Sequence, residues 1–351
     1  MKFAIAAKLQ LNMHDLNNER AEEIRRIPIV YKVGGNYKLV EEAVAISGVM
    51  LKHYHFSNMI DLLIKENGKI CVVCSRKEAI RVLPRGTKEE ETRNAIKKWL
   101  GQDNEVDNYI ETVFNKDEDE IIKMCAGEDI HGFLRPAPML RRESLVKFSW
   151  MLPVYLKELE DYGTPTPFTI VQHSRNIRNI PEELPNELKQ MQMPYPRGYG
   201  NGVFAFTSIL ELDFIGYSFT SRKNVLSEDE IKRRQKGSIL AYGPILTGLC
   251  GASLARALPA VEIEEVVAIV SKGGISIPNP IHPIYEGYFD DSIKIYDVYA
   301  KLFNADLSIF YYGLNPSQST INYKNVKLEE VSKPLEVLDK AISYLGLDKE
   351  K

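Results

Sequence analysis

Apolar and polar residues alternate from the start of the chain. Phe3, Ile5, Ala7, Leu9, Leu11 and Met13 fall on one parity, and Ala4, Ala6, Lys8, Gln10 and Asn12 on the other. This period of two predicts a strand with one apolar face and one that grows polar toward its end, leaving Lys8, Gln10 and Asn12 on an open sheet surface. After a polar loop, IPIVYKVGGNYKLVE predicts a hairpin turning at Gly34–Gly35. The period then becomes helical: Ser47 supplies an N-cap, the helix runs to about Lys65, and Gly68 ends it.

Beyond that helix, 69–75 reads as a short strand. Residues 87–99 and 106–114 read as charged helices, and 116–124 as a further acidic stretch, so 80–124 is expected to be a helical insertion in a sheet domain. Strands are expected at 130–135 and 145–152, separated by the basic link RPAPMLRRES. A breaker at 164–167 precedes a polar, proline-punctuated arm at 168–193. Gly198, Gly200 and Gly202 lead into a strand at 203–212. Ser227 and Glu230 form a capping box, and an apolar helix is expected over 244–258. Strands at 262–270 and 307–312 and a helix at 328–345 complete the chain. Without its insertions this order is an α+β βαββαβ core, ferredoxin-like, the kind of sheet that RNA-recognition folds use. The expected parts are 1–79, 125–165 and 196–351 as one sheet domain, 80–124 as a finger and 166–195 as a thumb-like arm.

Composition narrows the class. Hydrophobic residues make up 44% and charged residues 26% of 351 positions, values of a globular protein with a full core. A net charge of −3 argues against a generic basic nucleic-acid binder, so any such role needs local basic clusters. Basic groups gather at 20–32, 135–147 and 173–178, and acidic groups at 88–91, 103–111 and 116–120. Four cysteines form no disulfide framework. The alternating N-terminal stretch does not read as a signal peptide, and no apolar run reaches the ~20 residues of a membrane helix, so a cytoplasmic location without membrane contact is expected.

The segment AISGVMLKHYHF carries the strongest candidate chemistry. A capped helix start offers backbone N–H groups to an anion, and Gly48 permits close approach. At 100° per residue Gly48, Lys52 and His55 share one stripe. Such a stripe can hold a nucleic-acid backbone without reading bases, and it can equally be an ordinary buried helix with a snorkelling lysine. In RPAPMLRRESLVKFSWMLPV, Arg135, Arg141, Arg142 and Lys147 stand beside Phe148 and Trp150, as in single-strand grooves. The two aromatics, two apart, are expected on the core face of a strand and the arginines outside.

Other motifs are weaker. Cys71-x-x-Cys74, with Cys125 and His131, resembles a zinc set, but in a strand residues three apart point to opposite faces, so core cysteines and no metal are expected. Gly198-x-Gly200-x-Gly202 precedes a strand rather than a helix and is no dinucleotide loop. No phosphate-loop lysine signature is present, and Asp15 has no partner carboxylates in sequence. His14 and His173 are the candidate acid–base groups for RNA cleavage, and His173 beside Arg175 and Arg178 suits a backbone clamp better.

Together, KLQLNMHDLNNERAE, AISGVMLKHYHF, EDIHGFLRPA with RRESLVKFSWMLPV, and MPYPRGYGNGVFAFTSILELDFIGYSF resemble the DevR-type CRISPR-associated proteins of the RAMP superfamily. These are backbone subunits of archaeal type I Cascade-like complexes. The resemblance extends to about residue 260. It implies an RNA-recognition-like palm with a finger insertion and a thumb, stacked in several copies along one CRISPR RNA that pairs with target DNA. It implies other Cascade subunits as partners, no cofactor and no catalysis. Carried onto this chain, it points to Ser47, Lys52, His53 and His55 as guide-phosphate contacts, to Asn12, Asn17, Asn18 and Arg20 in the loop after the first strand, and to His173 and Arg175 in the thumb, beside the Arg141 and Arg142 that the basic link already offers. The alternatives are a RAMP-type endoribonuclease that processes CRISPR RNA, and a DNA-binding regulator, for which no basic recognition helix is evident.

Overall fold

The computed structural model describes residues 1–16, 24–78, 88–101, 103–136, 138–162, 167–173, 195–251, 254–255, 257–317 and 323–348. Its centre is an eight-stranded sheet. The strands are β1 (Lys2–His14), β2 (Arg26–Val33), β3 (Asn36–Val44), β4 (Phe133–Pro136), β5 (Met139–Arg142), β6 (Val146–Phe148), β7 (Leu152–Pro153), β8 (Phe168–His173), β9 (Tyr195–Leu210), β10 (Tyr217–Ser218), β11 (Lys223–Asn224), β12 (Ala260–Lys272), β13 (Asp306–Tyr312) and β14 (Val326–Glu330). The path is β14-β13-β12-β1-β9-β6, with β7 and β8 also on β9. Every pairing in this sheet is antiparallel except β13 with β14. The helices are α1 (Gly48–Lys65), α2 (Lys88–Leu100), α3 (Asn104–Asn115), α4 (Glu118–Met124), α5 (Ala126–His131), α6 (Glu228–Leu240), α7 (Tyr242–Leu246), α8 (Tyr288–Phe303) and α9 (Glu336–Leu345).

The odd-numbered face of β1 packs as the period predicts: Phe3, Ile5, Ala7, Leu9 and Leu11 are buried against α1 residues Leu51, Phe56, Met59, Ile60 and Leu63 and residues of α6, α7 and α9. Each of the larger of these side chains contributes about 1.5–3 kcal/mol on burial. Met13 departs from the pattern. A register break between Leu11 and His14 puts Met13 at φ 57° and turns it outward, while His14 goes into the core. The even face is not open. Ala4 and Ala6 lie under α8 with Tyr296 and Ile293, and Lys8 pairs with Glu265 at 3.0 Å beside the Tyr288 ring.

Several elements stand where the local signals put them. The β2–β3 hairpin turns through Gly34 and Gly35, both at positive φ, between Val33 and Asn36. α1 begins at Gly48 with the Ser47 hydroxyl accepting the Met50 N–H, and it ends through Asn67 at φ 55° with the Gly68 N–H on the Leu63 carbonyl. Others differ. Residues 69–75 are no strand but turns leading into a short 3₁₀ helix at Cys74–Arg76, so Cys71 and Cys74 converge instead of diverging. The expected strand at 145–152 is two short strands split by Ser149–Met151, where Ser149 bonds Thr207 and Met151 bonds Ile46. The apolar helix at 244–258 is only α7, stopped by Gly248 at φ 73°. The region 328–345 holds β14 before α9, and α8 is a helix that the sequence reading left out.

A buried ion network ties four elements together. Arg142 donates to Glu118 at 2.8 Å and Asp129 at 2.6 Å, and Arg234 donates to Asp129 at 2.8 Å and Glu230 at 2.9 Å. The same Arg142 guanidinium also reaches the Asp129, Phe214 and Tyr217 carbonyls, so all its donors are used. Glu118 meanwhile accepts from the Thr220 N–H and hydroxyl. The network fastens α4, α5 and α6 behind the β4–β5 hairpin.

Candidate nucleic-acid interface

The start of α1 lies against the segment 148–151. A Cβ on Gly48 would meet the Ser149 carbonyl oxygen at 2.7 Å and that of Phe148 at 2.9 Å, so Gly48 admits protein backbone rather than an outside anion. Ile46 and Met151 exchange backbone hydrogen bonds at 3.0 and 2.9 Å, and Ala45 donates to the Arg25 carbonyl at 3.1 Å. These bonds set Arg25 and Trp150 beside the helix start, and the Arg25 guanidinium stands 5.5 Å from the Trp150 ring centroid.

Two clefts meet at Trp150. The larger, about 860 Å³, is lined by Gly48, Lys52 and His53 from α1, by Arg141 from β5, and by Lys147 and Trp150 from the segment after it; Glu78 and Glu143 are its acidic members. The second, about 540 Å³, continues past Trp150 to Arg25 and Arg26, with Glu41 and Glu42 on its wall. His53, Arg141 and Lys147 are exposed, and Lys52 and Trp150 half-buried. Arg141 pairs with Glu143, and Lys147 lies 3.9 Å from Glu211. The Arg141 pair is exposed, worth little and yields readily to a phosphate, while Glu211 is buried and only the Lys147 end of its long contact reaches solvent. The result is a groove with cations along its walls and one accessible indole, on a chain of net charge −3.

The residues singled out from sequence divide clearly. Lys52, His53 and Arg141 come together in the groove. His55 does not: it is fully buried, with Nε2 2.9 Å from the Ser238 carbonyl and Nδ1 3.1 Å from His131 Nε2, and burial lowers its pKa to about 4. The stripe of Gly48, Lys52 and His55 is thus split, because α6 closes over its third member. Arg142 is buried in the ion network, and Arg135 is buried as a cap on the Val113 and Lys116 carbonyls at the end of α3. Ser47 is 6% exposed, its hydroxyl engaged in the cap. Asn12 is half-buried opposite Ala260, away from the groove lining. His173, half-buried on β8, has Nε2 2.7 Å from the Tyr199 hydroxyl. Asn17, Asn18, Arg20, Arg175 and most of the expected thumb lie outside the described residues.

The expectation for the aromatics and arginines of RRESLVKFSW is reversed in part. Phe148 packs toward Tyr242, Phe206 and His55, as a core residue does, but Trp150 faces the clefts. Among the basic residues, Arg135 and Arg142 are inside while Arg141 and Lys147 are out. Arg25 and Arg26 of the second cleft were marked in the sequence only by membership of the 20–32 basic cluster. His14 is fully buried in contact with Phe204, and burial holds its pKa near 3, so it offers no proton transfer to an outside ligand. Asp15 is buried and paired with Arg197 at 2.9 Å. No described helix is long and apolar enough to cross a membrane.

The mixed α+β fold, a central sheet with helices on both faces, is that of subunits in RNA-guided CRISPR complexes. A chain of a solved "CRISPR RNA-guided surveillance complex, pre-nicking" superposes over 98% of this chain and 99% of its own, with a TM-score of 0.52 at 11% identity. Residues 5–293 match the family model "CRISPR-associated negative auto-regulator DevR/Csa2". The chain belongs to that DevR/Csa2 family. It is 32% identical over 347 residues to "CRISPR-associated protein Cas7/Cst2/DevR" of Methanocaldococcus jannaschii, covering 96% of this chain and 100% of that protein. It is 26% identical over 329 residues to "CRISPR-associated protein Cas7/Csa2 1" of Saccharolobus solfataricus, covering 92% and 95%.

Proposed function

We propose that this chain is a non-catalytic backbone subunit of a type I CRISPR interference complex, binding CRISPR RNA through the groove at the start of α1 and assembling in several copies along it. The observation that carries the reading is the groove itself: Lys52, His53, Arg141 and Lys147 surround Trp150 in a chain that is otherwise mildly acidic. Cations with one stackable ring hold a sugar–phosphate strand without reading it, leaving recognition of target DNA to the guide's own base pairing. Family membership and the likeness to a surveillance-complex chain support the same role. Few phosphate contacts per copy suffice when copies share one strand, because affinity accumulates along it. The strand order β12-β1-β9-β6, with neighbours antiparallel and α1 and α6 on one face, supports a ferredoxin-like palm. Other Cascade subunits are the further partners of this reading, in the cytoplasm.

The test is fluorescence anisotropy with guide-length single-stranded RNA over a range of salt. Lys52→Ala with Lys147→Ala is expected to weaken all sequences about equally and to reduce the salt slope by about one per cation removed. Unchanged affinity overturns the assignment. Incubation with repeat RNA is expected to leave it intact. The competing endoribonuclease reading rests on His173 and its bond to Tyr199, and cuts that vanish in His173→Ala would establish it.

A further inference from the structure

Three cysteines bracket the helical insertion. Cys71 and Cys74 lie just before it and Cys125 just after, and their sulfurs all lie within 4.8 Å of one another, buried. The turn Cys71-Val72-Val73-Cys74 is wound so that the Cys74 N–H donates to the Cys71 sulfur at 3.5 Å, and Ser75 closes back on the Cys71 carbonyl at 2.9 Å. The Cys125 sulfur accepts backbone N–H bonds from Cys71 and Glu128. Ala126 donates to the Lys69 carbonyl at 2.9 Å, holding the two segments together without the sulfurs.

We propose that Cys71, Cys74 and Cys125 bind a thiophilic divalent cation of the zinc type as a structural clamp at the root of the insertion. A solvent molecule completes the tetrahedron, and the Glu128 carboxylate, whose Oε1 lies 3.7 Å from the Cys74 sulfur, stands beside the set. A Zn–S bond of ~2.3 Å places tetrahedral sulfurs ~3.8 Å apart, so the triad contracts by no more than about 1 Å to fit. An open cleft of about 410 Å³, lined by Cys71 and Tyr109 with Lys69, Lys123, Glu105 and Glu120 on its walls, gives the ion a path in. Tyr109, on the wall of this cleft, has its hydroxyl buried without a hydrogen-bond partner among the described residues. Gly127 leaves the triad its room, since a Cβ there would meet the Cys74 sulfur at 2.6 Å. The clamp needs no other part of the groove and stands apart from the RNA-binding reading.

The full chain, purified under reductant and stripped with chelator, is titrated with Co²⁺ as the probe. A thiolate-to-cobalt charge-transfer band saturating at one equivalent per chain and bleached by Zn²⁺ is expected, with one equivalent of zinc in the protein as isolated from zinc-containing medium. Cys71→Ser and Cys125→Ser are expected to lose the band, while Cys250→Ser, at a buried cysteine outside the cluster, keeps it. No band in the reduced wild-type chain overturns the clamp, as does equal loss in Cys250→Ser. A reduced triad that takes no cobalt and closes to a disulfide in air also overturns it.

Discussion

His131 Nε2 stands 3.1 Å from His55 Nδ1, and the opposite nitrogen of His55 meets the Ser238 carbonyl at 2.9 Å. A carbonyl only accepts, so His55 Nε2 carries the proton, Nδ1 is bare, and His131 Nε2–H must donate to it. The helix α1 is thereby joined to α5 and α6 through a chain of two hydrogen-bonded imidazoles. His131 is also a lining residue of the groove, so the chain runs from the interior to the surface that we assign to RNA.

Acid should therefore weaken the fold before its carboxylates titrate. Burial holds His14 near 3, and His55 and His282 near 4, against an ordinary value of 6.5. Between pH 6.5 and 4 the unfolded chain binds protons that the folded chain refuses, so stability is complete above about 6.5 and falls as pH drops toward 4, by ~1.4 kcal/mol per unit of depression for each group. Urea midpoints at pH 7 and 5 should differ clearly in the parent and by less in His55→Gln. An identical drop in both would contradict the imidazole chain.

Neighbouring arginines should respond oppositely. Arg142→Ala takes from Glu118 its buried cation and leaves Asp129 to Arg234 alone, and is expected to cost about 3–5 kcal/mol. Arg141→Ala, at the exposed groove wall, should leave the thermal midpoint unchanged and reduce RNA affinity. Calorimetry and anisotropy on the two variants check the pair.

Gly48→Ala tests the crossing of α1 under segment 148–149. The added methyl meets two carbonyl oxygens inside 3.0 Å, backbone that cannot swing away, so a loss of about 1–3 kcal/mol is expected despite alanine's better helix propensity. A gain in the urea midpoint would show that the crossing is looser.

Trp150→Ala should weaken single-stranded RNA binding by about 1–3 kcal/mol, the worth of one stacked base, with little change in salt slope, since the ring carries no charge. Trp150→Phe should restore part of it. An alanine variant that binds as tightly as the parent removes the ring from the groove's function.

What was legible in the sequence was local. The glycine pair of the hairpin and the serine cap of α1 act through their own backbone, and each stands where its residues are. The misread parts are decided by distant neighbours. ICVVC has the composition of a strand, yet Val73 and Cys74 turn into the core, and only the fold brings Cys125 to meet them. Arg142 and Arg141 are indistinguishable in sequence; what separates them is Asp129, thirteen residues away, and Glu118, twenty-four away. Likewise His55 sits on the predicted stripe, but α6 arrives from far along the chain to cover it.

Among the described residues the strand β14 has its only sheet partner in β13, and four of its five residues are Lys327, Leu328, Glu329 and Glu330, three of them charged and exposed. A border so charged resists annealing to another copy's border, the usual route to uncontrolled fibres. On the function we propose, copies sharing one guide would meet through surfaces other than this border, and their number would follow the length of the strand they share.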